Sequence, residues 1–391
     1  MKVVLMNKNT EVLVLEYNVT LRGFDQVLEY KNIDYAPVII TGLFDNNENF
    51  LGKLSDWFKG RGIPSHRDSL YILLAKLNIH TPEELLDKAF GLSLSDQYWI
   101  KPYDSNMEHK DINFFENDFD SVEFTEATFS NSSTNITEKA LLTPNNTTDG
   151  MLKKSWIIED GKRLLLKGGY HNEKLQPFNE VLATWICERL GFDHVPYNLK
   201  IVSNQVVSTC ECFIDTNTEY VPAYQVMYSE NHNYTDDDYK DYLKILTAKG
   251  IKKAKEKLEN MIILDYLILN NDRHMNNFGI IRNVETLAWI DVAPIFDSGQ
   301  ALNVTSYSPD EIIIDGHGKF FYRSDIFDDI IKNVTNLKRI DISKLDGLVE
   351  DFDKLLTKYQ PITKFSNERI HKLCVLLNRR INKLKELIEN N

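Results

Sequence analysis

Leu269-Asn-Asn-Asp272-Arg273-His274-Met-Asn276-Asn277-Phe278-Gly-Ile280-Ile281 decides how this chain is read. The apolar run Met261 to Leu269 leads into it, and Phe278, Ile280 and Ile281 resume directly after it. A tight polar loop is therefore clamped between two elements with core character. A second apolar run follows downstream, Pro294-Ile-Phe-Asp297-Ser-Gly299, and it again delivers an aspartate just before a glycine.

Phosphoryl transfer needs residues of these types. Nucleotide phosphates require Mg²⁺ held by hard oxygen ligands, which Asp and Asn side chains supply. A separate carboxylate must position the acceptor hydroxyl and take its proton. Protein kinases place such an Asp and an Asn five residues apart on one loop, with a metal-binding Asp downstream. Asp272, Asn277 and Asp297 have that arrangement. Taken alone, Asp-x4-Asn is more often a surface turn with Asp272 as a cap and Arg273 paired nearby. The flanking apolar elements and the β-rich region upstream reverse that preference. A metalloenzyme built on His274 is disfavoured, because no second His stands at helical ligand spacing.

Upstream, Ser155 to Ile158 and Arg163 to Lys167 read as two strands joined by the tight turn Asp160-Gly161. Asn179 to Leu190 has helical spacing and is stopped by Gly191. Leu199 to Val202 and Val206 to Phe213 read as further strands. Helices follow over Asp236 to Ala248 and Ile251 to Leu269, and Ile370, Leu373, Leu377, Ile381, Leu384 and Ile388 form one face of a C-terminal helix. Before all of this, Val3 to Leu5 and Val12 to Leu15 read as strands and Asp45 to Asn49 as a polar turn. Leu51, Leu54, Trp57 and Phe58 read as a helix face, and Thr81, Pro82 and Glu84 as a capping-box helix start. Thr128 to Asp149, crowded with Ser, Thr and Asn, reads as a flexible connection or a long loop with a job. The expected division is 1–124 as an N-terminal accessory domain, 125–225 as a β-rich half with a phosphate loop, and 226–391 as a helical half with the catalytic loop.

The motif Asn271-Asp272-Arg273-His274 through Asn277, with Pro294-Ile-Phe-Asp297, resembles the HipA-like kinases. These are bacterial Ser/Thr kinases, several of them toxins of toxin–antitoxin pairs, distantly related to phosphatidylinositol kinases. The resemblance covers roughly residues 145 to 300. It implies an α+β, two-lobed protein-kinase-like fold, with a β-rich N-lobe, a mainly helical C-lobe and an N-terminal accessory α+β domain. By position it makes Asp272 the catalytic base and Asn277 and Asp297 the Mg²⁺ ligands. It gives His274 and Arg273 supporting roles in the loop. It places Lys167 on the ATP phosphates and Glu180 either as the partner of Lys167 or as a helix opener. Glu211, Cys212 and Phe213 would hold the adenine. Thr147, Thr148, Asp149 and Gly150 stand where the phosphate loop is expected, with Lys153 and Lys154 nearby, although one glycine replaces the usual several. Thr147, Thr148, Ser130, Ser132 and Ser133 are candidate autophosphorylation sites.

The implied activity is ATP- and Mg²⁺-dependent transfer to a protein hydroxyl, with a translation factor as one candidate substrate and an antitoxin as a candidate partner. The alternatives are a small-molecule or lipid head-group kinase and a catalytically weak kinase-fold regulator. The net charge of −13 argues against direct nucleic-acid binding. No apolar run nears the ~20 residues a membrane span needs. The opening apolar stretch breaks at Asn7 with no cleavage site behind it, and the four cysteines, Cys187, Cys210, Cys212 and Cys374, are too scattered for a disulfide framework. The expected location is the cytoplasm.

Overall fold

A computed structural model describes residues 1–42, 49–119, 122–130, 137–170, 174–230, 237–312, 315–321 and 323–390. Two elements of the sequence reading, the turn at Asp45 and the candidate sites Ser132 and Ser133, lie outside the described residues. The chain divides into two compact units. The first comprises Met1–Leu166, Glu211–Tyr234 and Ile280–Ile290; the second comprises Lys167–Cys210, Thr235–Gly279 and Asp291–Asn391. Among the described residues no helix is long and apolar enough to cross a membrane.

The first unit is built on an antiparallel sheet of four strands, β1 (Lys2–Asn7), β2 (Thr10–Asn18), β3 (Gly23–Tyr30) and β4 (Tyr98–Pro102), in the order β3-β2-β1-β4. Successive strand residues face opposite sides, and here both sides are covered. Val3 and Leu5 join Leu13 and Leu15 in one apolar cluster, closed by Phe50, Leu54 and Phe58 of the helix Phe50–Lys59. Val4 and Met6 point the other way, into a cluster with Trp99, Phe114 and Phe119. The sequence reading missed β3 because its residues are mostly exposed and polar, so burial imposes no alternation on them.

Trp156 and Ile158 of β5 (Lys154–Glu159) pack against the cluster that holds Trp99. β6 (Lys162–Lys167) follows through Asp160 and Gly161, which both have positive φ, as the predicted two-residue turn requires. The helix Pro82–Lys88 starts with proline in its first turn, but Thr81 makes no capping bond. Glu84 instead accepts from the His80 amide at 3.4 Å. The described residues 137–149 are tied into the unit rather than forming a flexible connection. The helix Val122–Phe129 precedes them, and Asn145 and Asn146 are fully buried in the turn Pro144–Thr147. The Asn146 amide donates to the Leu85 and Leu141 carbonyls, and the Asn145 amide to Thr143. These asparagines look like loop residues by composition, yet they serve as internal ties.

His109 carries a prediction of its own. It is buried against the Trp99 ring, and burial, helped by the Lys8 charge, pushes its imidazole down to about 4. An unfolded chain would take up that proton near pH 6.5. The stabilising effect is therefore complete above pH 6.5 and is lost as pH falls toward 4. The expected loss is roughly 3 kcal/mol, from 1.36 kcal/mol per pKa unit. Melting curves of wild type and His109→Phe across that range should diverge, with the wild type falling further. Parallel curves would remove His109 as the cause.

The second unit is mainly helical. α1 (Gln176–Leu190) starts earlier than the expected Asn179, because Pro177 is accommodated in its first turn, and it ends at Gly191 with φ 75°. β7 (Tyr197–Val202) and β8 (Gln205–Glu211) form an antiparallel hairpin. Cys210 lies within β8 and Cys212 beyond its end, so the two thiols do not share a strand face; none of the four cysteines forms a disulfide.

α2 (Ala254–Ile268) is the central helix. From Leu258 through Ile268 every residue is buried, the mark of a helix enclosed on all sides. α3 (Leu348–Thr363) and α4 (Asn367–Asn390) follow. Ile370, Leu373, Leu377 and Leu384 face inward as expected, but so does Arg380. Its guanidinium donates to the Tyr266 carbonyl at 3.0 and 3.1 Å and stacks 3.9 Å over the Tyr266 ring. Satisfying the C-terminal carbonyls of α2 in this way justifies burying a charge.

Candidate active site

The loop from Leu269 to Phe278 takes its shape from the end of α2. Leu269 adopts φ 52°, the left-handed conformation that stops a helix, although it carries a side chain. Asn270 bridges the break: its amide donates to Asp265 at 2.9 Å, and its oxygen accepts the Asp272 amide at 3.2 Å. Arg273 then plugs the loop from behind. It is fully buried and uses all five of its N–H donors. Nε and Nη2 reach the two Asp265 oxygens at 2.9 and 3.0 Å. Nη1 reaches the carbonyls of Asn277 at 2.8 Å and Phe296 at 2.6 Å, and Nη2 also reaches Ser298 Oγ at 3.0 Å. Burial alone would pull the guanidinium down; the charge and hydrogen bonds of Asp265, joined by the charges of Asp297 and Glu180, together outweigh it and shift it upward. One guanidinium thus fixes the loop that carries Asp272 and Asn277 to the loop that carries Asp297.

Asp272 uses its backbone for structure. Its carbonyl accepts from the His274 amide at 2.8 Å and from Asn277 Nδ2 at 2.9 Å. Its half-exposed carboxylate is met by Lys319 Nζ at 3.3 Å, with His274 Nε2 farther off at 3.9 Å. His274 shapes the loop through Nδ1, which accepts the Asn276 amide at 3.2 Å.

Asp297 sits at φ 54°, strained for a residue with a side chain. The strain is sustained by its surroundings. Asn179 of α1 donates to the carbonyls of Gly299 and Ala301 at 2.9 and 2.7 Å, and the Asn271 amide donates to the Gln300 carbonyl at 3.0 Å. A Cβ at Gly299 would crowd Gln176 and Glu180 at 3.3–3.4 Å, so glycine suits the close passage over α1.

Lys167 closes the site. Its buried ammonium bonds both Glu180 and Asp297. Burial would lower its pKa, but the charges of Asp297 and Glu180 more than offset this and the net shift is upward. Glu180 is itself pushed up by burial, against the pull of Lys167, and its second oxygen accepts the Ser298 amide at 2.9 Å. Of the two roles the sequence left open for Glu180, pairing with Lys167 is the one realised; Glu180 lies one turn inside α1.

The second unit therefore brings together Lys167, Glu180, Asp272, Arg273, His274, Asn277 and Asp297. The remaining sequence-derived residues lie in the first unit. Thr147 Oγ1 donates to the carbonyls of Leu92 and Pro144, and Thr148 Oγ1 to that of Asn145. Arg67 binds Thr148 Oγ1, the Thr148 carbonyl and the Gly150 carbonyl at 2.7, 2.6 and 3.0 Å. The Gly150 amide donates to Asp149 at 2.6 Å. Glu211 pairs with Lys162, the Cys212 amide donates to the Arg163 carbonyl, and Phe213 packs edge-on to Tyr220. Sequence reasoning missed Asp265, Asn270, Ser298, Asn179 and Lys319. A carboxylate inside the apolar run Met261 to Leu269 was the one available signal for Asp265.

Residues 136–319 match the family described as the HipA-like C-terminal domain. Over those residues the chain is similar to the HipA-like family. That match takes in every site residue of the second unit named above. HipA of Shewanella oneidensis MR-1, solved in a toxin–antitoxin complex with HipB and its operator DNA, superposes with a TM-score of 0.52 at 12% identity, covering 99% of each chain. The chain thus shares the mixed α+β, kinase-like fold of HipA. The Helicobacter pylori proinflammatory kinase CtkA is also similar, with a TM-score of 0.47 at 18% identity over 61% of this chain and 94% of that one. No curated protein matches the sequence.

Proposed function

We propose that this HipA-like chain is an ATP- and Mg²⁺-dependent Ser/Thr protein kinase that phosphorylates a cytosolic protein and itself. One observation carries the reading: a buried lysine shared between Glu180 and Asp297, on the unit whose Arg273 ties the Asp272–Asn277 loop to Phe296. A lysine kept charged inside a protein is suited to contact phosphates, and Glu180 fixes its direction.

Mg²⁺ fits the donor set. Asn277 and Asp297 offer an amide and a carboxylate oxygen on the two loops that Arg273 joins, and Mg²⁺ is usually held by one or two such ligands with phosphate and water completing the shell. Bound there, Mg²⁺ supplies charge neutralisation on the phosphate oxygens. Asp272 receives the acceptor hydroxyl's proton as that oxygen bonds the γ-phosphorus and the bond to ADP breaks.

In this reading 1–124 is an accessory domain, 125–225 the nucleotide-side half and 226–391 the catalytic half. Thr147, Thr148, Asp149 and Gly150 would hold the phosphates. Glu211, Cys212 and Phe213 face the adenine. An antitoxin is the proposed partner, by analogy with the HipB-bound Shewanella protein. Incubation with γ-labelled ATP should label the chain or an added protein with Mg²⁺ and not with EDTA. Absence of transfer, together with absence of Mg-ATP binding in calorimetry, would overturn the proposal. Label appearing only on inositides or small alcohols would move the substrate class.

A further inference from the structure

The Asp272 carboxylate is met by a cation that no motif predicts. Lys319 is 47 residues downstream in sequence, and its Nζ lies 3.3 Å from Asp272 Oδ1. It belongs to a hairpin that pairs His317–Phe320 with Arg323–Ile326. Along the first strand burial alternates: His317 and Lys319 are exposed, Gly318 and Phe320 buried. The buried positions are anchored firmly. A Cβ on Gly318 would come within 2.8 Å of Phe327 and 2.9 Å of Ile330, so the backbone lies flush against the following helix. Phe320 packs on Tyr239. Phe321 packs on Tyr242 and, at 5.2 Å between ring centroids, on Phe278. Phe278 is the residue directly after Asn277.

The aromatic cluster therefore ties the hairpin to the catalytic loop and leaves Lys319 as the side chain presented toward it. Both groups of this ion pair are substantially exposed, 54% for Lys319 and 33% for Asp272. Exposed pairs add little to stability, so folding alone does not explain a rigid support beneath one. Among the described residues, Lys319 and His274 are the side chains that bring polar atoms to this carboxylate. His274 Nε2 stands 3.9 Å from Oδ2, beyond hydrogen-bond reach, which leaves Oδ2 open to an incoming hydroxyl.

We infer that Lys319 is a positioning residue: it holds Asp272 Oδ1 so that Oδ2 meets the acceptor. The inference rests on the kinase reading and extends it by a residue outside the Asp-x4-Asn motif. The acceptor proton passes to Oδ2 while Lys319 keeps its own protons on Oδ1. Misplacing a general base lowers the rate of the chemical step without weakening nucleotide binding.

Steady-state phosphorylation by wild type, Lys319→Met and Lys319→Arg tests this, with melting curves confirming that each variant is folded. Lys319→Met should lower kcat about tenfold to a hundredfold and leave KM for ATP within about twofold. Lys319→Arg should recover most of the rate, since it restores a cation. A Lys319→Met enzyme as fast as wild type, or one whose loss lies wholly in KM for ATP, overturns the inference. Either result differs visibly from failure of the kinase reading, in which wild type itself transfers no phosphate.

Discussion

Asp272→Asn is expected to cut phosphoryl transfer by about a thousandfold while leaving the melting temperature where it is. The two halves of this expectation come from different atoms. The structural bonds of Asp272 run through its backbone, to Asn270, His274 and Asn277. An asparagine keeps all of them. The side chain is half-exposed and makes one pairing, with Lys319, which contributes little to stability. What asparagine removes is the capacity to accept a proton. The measurement is single-turnover transfer from γ-labelled ATP alongside thermal unfolding of the same preparation. A variant that melts normally and transfers at the wild-type rate would show that another group serves as base, and the assignment of Asp272 would be withdrawn.

The chemistry of phosphate explains why Asp272 stands out as a candidate without a structure. Magnesium and a hydroxyl proton admit few residue types, and a loop must hold them at short, fixed separations, so Asp272, Asn277 and Asp297 leave a local trace. Lys167 and Glu180 leave no such trace of their own: a strand-end lysine and a helix glutamate are singled out only by the family resemblance. The supports of the site follow no such rule. Asp265 looks like a flaw in an apolar helix until Arg273 is seen folded back on it. Asn179 and Ser298 are common residue types whose value lies in distant partners: Gly299 and Ala301 for Asn179, Glu180 and Arg273 for Ser298. Lys319 sits in a segment with no motif, and an aromatic cluster assembled from three separate stretches brings it to the site. The first unit shows the same limit. Asn145 and Asn146 have the composition of a surface loop, and burial of an amide can be inferred only when the carbonyls that satisfy it are known.

The second large effect is expected from Asp265→Ala, which should destabilise the chain by about 3–5 kcal/mol, the usual result of stripping one partner from a buried ion pair. The Arg273 guanidinium is fully buried and needs Asp265 for two of its five hydrogen bonds. Removing the carboxylate leaves that charge unpaired inside the protein and also frees the Asn270 amide. For a folding unit of this size the melting temperature should fall by roughly 10 °C. Activity should fall with it even below the melting range, because Arg273 is what joins the Asn277 and Phe296 carbonyls. The double variant Asp265→Leu/Arg273→Met separates the two effects. It removes both charges together, so much of the lost stability should return, as apolar replacements of whole buried pairs commonly achieve. It also removes the donor that joins the two loops, so activity should stay low. Thermal unfolding and transfer assays on both variants read these outcomes directly. An Asp265→Ala chain melting within about 2 °C of wild type would mean that water reaches Arg273 and that the buried clamp does not hold the site. A double variant that regained full activity would mean that the loops find their register without it.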